Sequence, residues 1–220
     1  MSEGMAEVIL RASRRYRRAG RWAHGFAQGK MSRDPVYASV LEQIPEEGVL
    51  LDVGCGEGYL LALVRALQPA VRLVGLDHDP RRVETGRVAL GDESSLEFRV
   101  ADAREAELPS ADVVTCLDVL HYMSPPEQDA LIERLAAALE PGGLLLLREA
   151  QAGAGIRSAA TRWSERILVA LGRHKGDGVF LRPRAELRDR LEGVGLRVEE
   201  RDCSEGTPFA NVLFVARRDP

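Results

Sequence analysis

Five short runs in this chain carry the groups that could hold a ligand or move a proton. The first is Val49-Leu50-Leu51-Asp52-Val53-Gly54-Cys55-Gly56-Glu57-Gly58-Tyr59, in which an apolar run ends in an acid and a glycine-rich turn follows. Glycines at such a turn let the backbone approach a ligand closely, with a helix N-terminus behind it. The second and third runs are Gly75-Leu76-Asp77-His78-Asp79-Pro80 and Arg99-Val100-Ala101-Asp102-Ala103. Each sets a carboxylate after an apolar run, where it can accept hydrogen bonds from ligand hydroxyl or amino groups. The last two are Leu117-Asp118-Val119-Leu120-His121-Tyr122-Met123 and Leu147-Arg148-Glu149-Ala150, which offer an imidazole and a carboxylate as candidate bases.

These groups need a scaffold that brings them to one edge. From Val49 onward, strand-like runs alternate with helical patterns. The strands read Val49–Val53, Val71–Leu76, Leu96–Val100, Asp112–Leu117, Leu144–Glu149, Leu196–Arg201 and Asn211–Ala216. Runs such as Asp112–Leu117 lack polar alternation, as parallel strands covered on both faces do. Leu60, Leu61, Val64 and Leu67 make one helical face. Asp79-Pro80 reads as an N-cap with proline at the first helical position, and Ser124-Pro125-Pro126-Glu127 as a capping box. That box opens a helix with Leu131, Leu135 and Leu139 on one face, stopped by Pro141-Gly142-Gly143. Arg184 to Val194 forms another helix, with Leu187, Leu191 and Val194 inward. The alternation predicts an α/β, doubly wound, Rossmann-like sheet with right-handed crossovers. No helix separates the last two strands, so they can pair antiparallel at one sheet edge.

The dinucleotide fingerprint places its third glycine where Tyr59 stands. With Asp52 just before Gly54, the loop instead resembles motif I of the class I S-adenosylmethionine-dependent methyltransferases. Seven strands with a final antiparallel hairpin match that family's sheet as well. The resemblance covers residues 45 to 150 and runs on into the segment after Leu117. It implies S-adenosyl-L-methionine as cofactor, S-adenosyl-L-homocysteine as product, and a site outside the carboxyl ends of the strands. Residues 1–44 are then an N-terminal helical cap and residues 45–220 the methyltransferase domain. Residues 150–180 form a helical insertion over the substrate side, with Ala160, Trp163, Ile167 and Leu171 at helical spacing.

The resemblance assigns roles residue by residue, each beside a plainer one. Asp52 lies near the methionine moiety, or organises the turn, or does both. Gly54, Cys55, Gly56 and Gly58 form the loop. Asp77 accepts from the ribose hydroxyls; the plainer role is a turn acid, although Asp79 already fills the cap. His78 stacks on adenine or faces solvent. Asp102 accepts from the adenine amino group and the Ala103 N–H reaches the ring, or Asp102 is an N-cap. Leu117 lies beside the cofactor. An oxygen acceptor must lose its proton, and His121 or Glu149 could take it. His121 could equally be a packing residue, Glu149 a partner of Arg148, and the reaction could run on proximity alone. Gly206 to Leu213, Arg148-Glu149 and Trp163-x-Glu165-Arg166 resemble a small set of bacterial methyltransferases of aryl- or acyl-chain biosynthesis. This finer resemblance implies substrate contacts at Tyr122, Arg148, Trp163 and Asn211. It also implies a phenolic acceptor that a carrier protein could present.

A length of 220 residues suits one domain, and 45% hydrophobic with 29% charged residues is ordinary for a globular protein. A net charge of −4 argues against a dedicated nucleic-acid binder. Cys55, Cys116 and Cys203 show neither metal-ligand spacing nor a disulfide pattern, so no metal is expected and a cytoplasmic setting is the simplest. No apolar stretch is long enough to span a bilayer. Arg11, Arg14, Arg15, Arg17, Arg18 and Arg21 form a basic helix whose plainer role is a solvated face; its alternatives are a lipid headgroup, an acidic carrier or RNA phosphates. Tyr16, Trp22 and Phe26 are expected to pack on the domain or line the pocket rather than anchor a membrane, since a membrane-surface helix would want a wider apolar face. The reading is methyl transfer to a small, apolar or aromatic acceptor, with oxygen as the expected target. The alternatives are a nicotinamide-dependent reductase on a similar fold and a non-catalytic binding module.

Overall fold

The structure, a computed structural model, describes residues 3–150, 179–204 and 211–220. Three helices come first: α1 (Glu3–Arg15), α2 (Arg21–Arg33) and α3 (Val36–Leu41), with a 3₁₀ turn at Tyr16–Ala19. Then follow β1 (Val49–Val53), α4 (Tyr59–Leu67), β2 (Arg72–Asp77), α5 (Pro80–Leu90), β3 (Leu96–Val100) and β4 (Ala111–Leu117). A 3₁₀ turn at Leu120–Tyr122 leads to α6 (Pro125–Ala137) and β5 (Leu139–Ala150). Beyond residue 178 lie α7 (Arg184–Gly193), β6 (Leu196–Asp202) and β7 (Asn211–Arg218).

The strands form one sheet in the order β3-β2-β1-β4-β5-β7-β6. The first five run parallel, while β7 is antiparallel to both β5 and β6. This is the α/β, doubly wound sheet with a C-terminal hairpin that the strand pattern predicts. Successive strand residues face opposite sides, so the apolar runs feed two cores. Leu50, Leu73, Val113, Leu144 and Leu146 pack under α1 to α5. Leu51, Val74, Val114, Leu145 and Leu147 pack under α6 and α7, with Leu131, Leu135, Leu187 and Leu191.

Local signals hold where they satisfy the backbone. The Asp79 carboxylate accepts from the Arg81 N–H, and Ser124 and Glu127 form a complete capping box. Leu139 departs from expectation: it opens β5 opposite Ala111 instead of continuing the α6 face. The register then shifts so that Val113 meets Leu144, and Pro141-Gly142-Gly143 falls in this irregular part of the strand. Of the three N-terminal aromatics, Tyr16 is fully buried, Phe26 half-exposed and Trp22 exposed, so Trp22 does not pack on the domain. The helical insertion expected at 150–180 lies almost wholly outside the described residues. Among the described residues no helix is long and apolar enough to cross a membrane. Cys55, Cys116 and Cys203 are free and buried.

Candidate active site

The glycine loop joins β1 to α4 at the carboxyl edge of the sheet. Asp52 is buried on β1, and its Oδ1 accepts from the Thr115 hydroxyl at 2.7 Å. Burial pushes its carboxyl up to about 7; the Thr115 bond holds it down and repulsion from Asp77 adds to the rise. The loop is tied from both sides. The Gly54 and Cys55 N–H groups donate to the Leu76 carbonyl at 2.7 and 3.0 Å, and the Gly56 N–H donates to Asp77 Oδ2 at 2.9 Å. From the other side the Tyr16 hydroxyl donates to the Glu57 carbonyl at 2.7 Å. Gly54 and Gly56 have φ of +78° and +56°, which side chains disfavour. A side chain at Gly54 would run into Val119, whereas one at Gly56 would project into open space.

That open space belongs to a cavity of about 320 Å³. Asp52, Gly54, Cys55, Gly56, Leu117 and Arg148 line it from the predicted set. Tyr59, Arg82 and Asp118 join them, while α2 and α3 supply Phe26, Lys30 and Tyr37. The residues fit an adenosyl sulfonium cofactor: a glycine cradle with room over Gly56, and acidic and basic lining groups, Glu57 beside Lys30 and Arg82, for a ligand that carries both charges.

The other predicted cofactor residues are not among those lining this cavity. Asp77 ends β2, buried, and its Oδ1 accepts from the Asp79 N–H at 2.8 Å. His78 is exposed, with Nδ1 3.5 Å from the same oxygen. Asp102 follows β3 and accepts from the backbone and side chain of Arg104, a pairing that lowers its pKa. Ala103 is buried and its carbonyl accepts from Arg134. Gly58 sits at the α4 N-cap.

The two candidate bases form one unit. Glu149, buried near the end of β5, uses Oε1 to accept from the Val119 and Leu120 N–H groups at 3.0 and 2.7 Å. Its Oε2 lies 2.7 Å from His121 Nδ1. An ionised carboxylate only accepts, so Nδ1 carries the proton and Nε2 remains the basic nitrogen. Burial would lower the His121 pKa, but the charge and hydrogen bond of Glu149 outweigh it and the net shift is upward. The Tyr122 ring lies 4.1 Å from the imidazole, centroid to centroid. The Phe180 N–H donates to the His121 carbonyl at 2.8 Å and anchors the turn.

Arg148, buried at the preceding position along β5, clamps the neighbouring elements. Its guanidinium bonds Asp118 (Nε to Oδ1, 2.9 Å) and Asp34 (Nη2 to Oδ2, 3.0 Å). Asp34 caps the C-terminus of α2; burial would raise its pKa, yet Arg148 holds it down at about 2. Asp118 has φ +60°, the only positive φ among the described non-glycine residues, and such strain clusters at functional sites. Arg148 therefore reaches the cavity already paired to two carboxylates. Asn211 is buried at the start of β7, opposite Ala150, and is not among the cavity-lining residues. Trp163 lies outside the described residues. Sequence reasoning missed Asp34, Tyr37, Arg82, Thr115 and Asp118; only Asp34-Pro35, a turn signal before a helix, was there to be read.

Residues 17–201 match the family described as a methyltransferase domain. A carboxy-S-adenosyl-L-methionine synthase of Chromohalobacter salexigens is 38% identical over 103 residues, which cover 44% of this chain and 38% of that protein. A ubiquinone biosynthesis O-methyltransferase of Xanthomonas axonopodis pv. citri is 29% identical over 181 residues, covering 79% and 73%. The match thus spans less than half the length of the first relative. Among solved structures, human N-acetylserotonin methyltransferase in complex with SAM has a TM-score of 0.66 at 21% identity, over 89% of this chain and 54% of that one. Magnesium protoporphyrin IX methyltransferase from Synechocystis with bound SAH has a TM-score of 0.65 at 22% identity, over 90% and 85%. These structures establish the shared fold. The family match overturns the reductase alternative.

Proposed function

This chain belongs to the methyltransferase domain family, a class I S-adenosylmethionine-dependent methyltransferase by family and fold, and on that premise we propose that it methylates a hydroxyl oxygen of a small apolar or aromatic acceptor. When bound, S-adenosylmethionine supplies a methyl group on a cationic sulfur that is a good leaving group. The chain's own task is to bind, align and deprotonate. In this reading the loop from Asp52 to Gly58 cradles the cofactor, Asp77 receives the ribose hydroxyls, and Asp102 and Ala103 meet the adenine. His78 covers the adenine face and Leu117 lies at the methionine end.

The observation that carries the acceptor chemistry is the 2.7 Å contact between His121 and Glu149 at the end of β4 and β5. His121 Nε2 takes the acceptor's hydroxyl proton as general base, and Glu149 fixes the tautomer and stabilises the imidazolium. Tyr122, against the imidazole, gives the acceptor an aromatic wall. Residues 1–44 act as a cap, tied to the reacting edge through Asp34 and Arg148. The acceptor is a free phenol or a phenol on an acyl chain, handled in the cytoplasm, where three free buried cysteines are at ease.

The test is methyl transfer from labelled S-adenosylmethionine to a panel of simple phenols, catechols and aryl amines. Methyl ethers as products, with His121→Gln slower by roughly 10²- to 10⁴-fold in kcat, support the reading. Methylation at nitrogen or carbon, or a His121→Gln enzyme as fast as the parent, refutes it.

A further inference from the structure

The outer face of the N-terminal helices takes no part in the chemistry above. Between Val8 and Arg33 stand eight basic residues and no acidic one, in a chain of net charge −4. Val8, Ile9, Ala12, Ser13 and Tyr16 turn inward, which leaves Arg11, Arg14, Arg17, Arg18 and Arg21 exposed. Among the described residues only Arg15 and Lys30 of the eight are in ion pairs, with Glu93 and Asp34. Helix α2 packs beside α1 and buries only Ala27 and Met31, so the two outer faces are continuous.

On that surface Trp22 and Phe26 are 79% and 50% exposed and stack on each other, with centroids 5.4 Å apart at 16°. Phe26 also approaches Tyr59 at 6.2 Å and lines the active-site cavity. An exposed aromatic pair beside a block of unpaired cations marks an interaction surface.

We propose that this face docks the protein on an anionic lipid bilayer. Trp22 and Phe26 sit at the headgroup boundary, where amphipathic and aromatic rings partition. The five exposed arginines face the lipid phosphates. Charge complementarity alone would also suit RNA or an acidic protein. The bilayer is favoured because Phe26 belongs both to the aromatic patch and to the cavity wall, so an apolar acceptor dissolved in lipid would meet the cavity at the docked face. The preference for lipid over those partners rests on the acceptor class proposed above; the test of docking needs no turnover, so the two can fail separately.

The experiment is co-sedimentation of the whole chain with vesicles of phosphatidylcholine alone or mixed with phosphatidylglycerol. Tryptophan emission is followed in a Trp163→Phe background, which leaves Trp22 as the sole reporter. The expected result is binding to the anionic vesicles only, lost at about 0.5 M salt, with a blue shift of Trp22 emission. The triple variant Arg14→Gln/Arg17→Gln/Arg21→Gln should bind roughly fivefold more weakly per arginine removed. Trp22→Ala should weaken binding at unchanged thermal midpoint. If the triple variant fails to fold by circular dichroism, Trp22→Ala and the salt series decide. The proposal is overturned by absence of binding to anionic vesicles, by binding that leaves Trp22 emission and the Trp22→Ala affinity unmoved, or by tighter binding to single-stranded RNA or an acidic carrier protein than to lipid.

Discussion

Replacing Glu149 by glutamine isolates the job of one carboxylate without emptying its place. Glu149 Oε1 satisfies two backbone N–H groups, of Val119 and Leu120, and a glutamine carbonyl oxygen can keep both. An alanine would leave both donors without their acceptor in a buried turn, at about 1–3 kcal/mol each, and would confuse folding with catalysis. In Glu149→Gln the group facing His121 Nδ1 becomes an NH₂ donor. The imidazole must then present a lone pair at Nδ1 and carry its proton on Nε2, the wrong tautomer for a base. The loss is that of a general base, roughly 10²- to 10⁴-fold in kcat, against about 1–3 kcal/mol of stability for one charge-assisted bond. Two readouts separate these effects: kcat at saturating acceptor across pH, and Kd for S-adenosylmethionine by calorimetry. In the parent, His121 is held above its ordinary 6.5, so the base form appears, and activity rises, as pH passes through that raised value. The same raised pKa means that the dyad's ion pair contributes fully to stability below the unfolded pKa and fades as pH rises through the folded one. In the variant the activity rise shifts to lower pH and the plateau falls, with Kd unchanged within about twofold, since Glu149 does not line the cavity. A kcat within about threefold of the parent, with the parent's pH profile, would sink the dyad and leave alignment alone as the catalytic device.

Three further outcomes follow from the loop and its supports. Asp77→Ala removes the acceptor of the Gly56 N–H and the expected ribose contact; S-adenosylmethionine affinity by calorimetry should fall by roughly 10- to 100-fold, as for loss of charged hydrogen bonds. Tyr16→Phe loses the 2.7 Å bond to the Glu57 carbonyl, so the folded state should lose about 1 kcal/mol in urea titration and cofactor binding should weaken with it. Asp52 has a folded pKa of about 7, above its unfolded value, so the native state holds its proton more tightly and stability from this group falls as pH rises from about 4 to 7. Asp52→Asn should flatten that slope, read from urea midpoints at about pH 5 and 8; an unchanged slope would show that Asp52 is not the group responsible.

The strands were legible because both faces of the sheet are buried: unbroken apolar runs such as Leu50-Leu51 and Leu144 to Leu147 have few other places to go. Caps were legible where a side chain serves a neighbouring N–H, as at Asp79 and Ser124. Leu139 was misplaced because a leucine at helical spacing reads the same whether its chain continues as helix or turns into a strand opposite Ala111. At the site, His121 and Glu149 were visible as two separate bases. Their union depends on β4 and β5 being neighbours, and that is a fact of the sheet order. Asp34 is 114 residues from Arg148 and no spacing rule joins them. The exposure of Trp22 was equally hidden, because helical periodicity gives a face and not what the face meets.

The place of β7 between β5 and β6 bears on how this chain folds as it is made. β6 precedes β7 in synthesis but pairs only with it. Until Asn211–Arg218 emerge, β5 presents an unpaired edge and β6 has no ladder to join. Exposed strand edges of this kind invite pairing with other chains. The five parallel strands can assemble early, but the hairpin closes only when the antiparallel strand slides into the gap. A nick or truncation within β7 therefore strips two strands from the sheet rather than one, and it does so beside Arg148 and Glu149, whose backbone β7 holds in register through Leu213 and Val212.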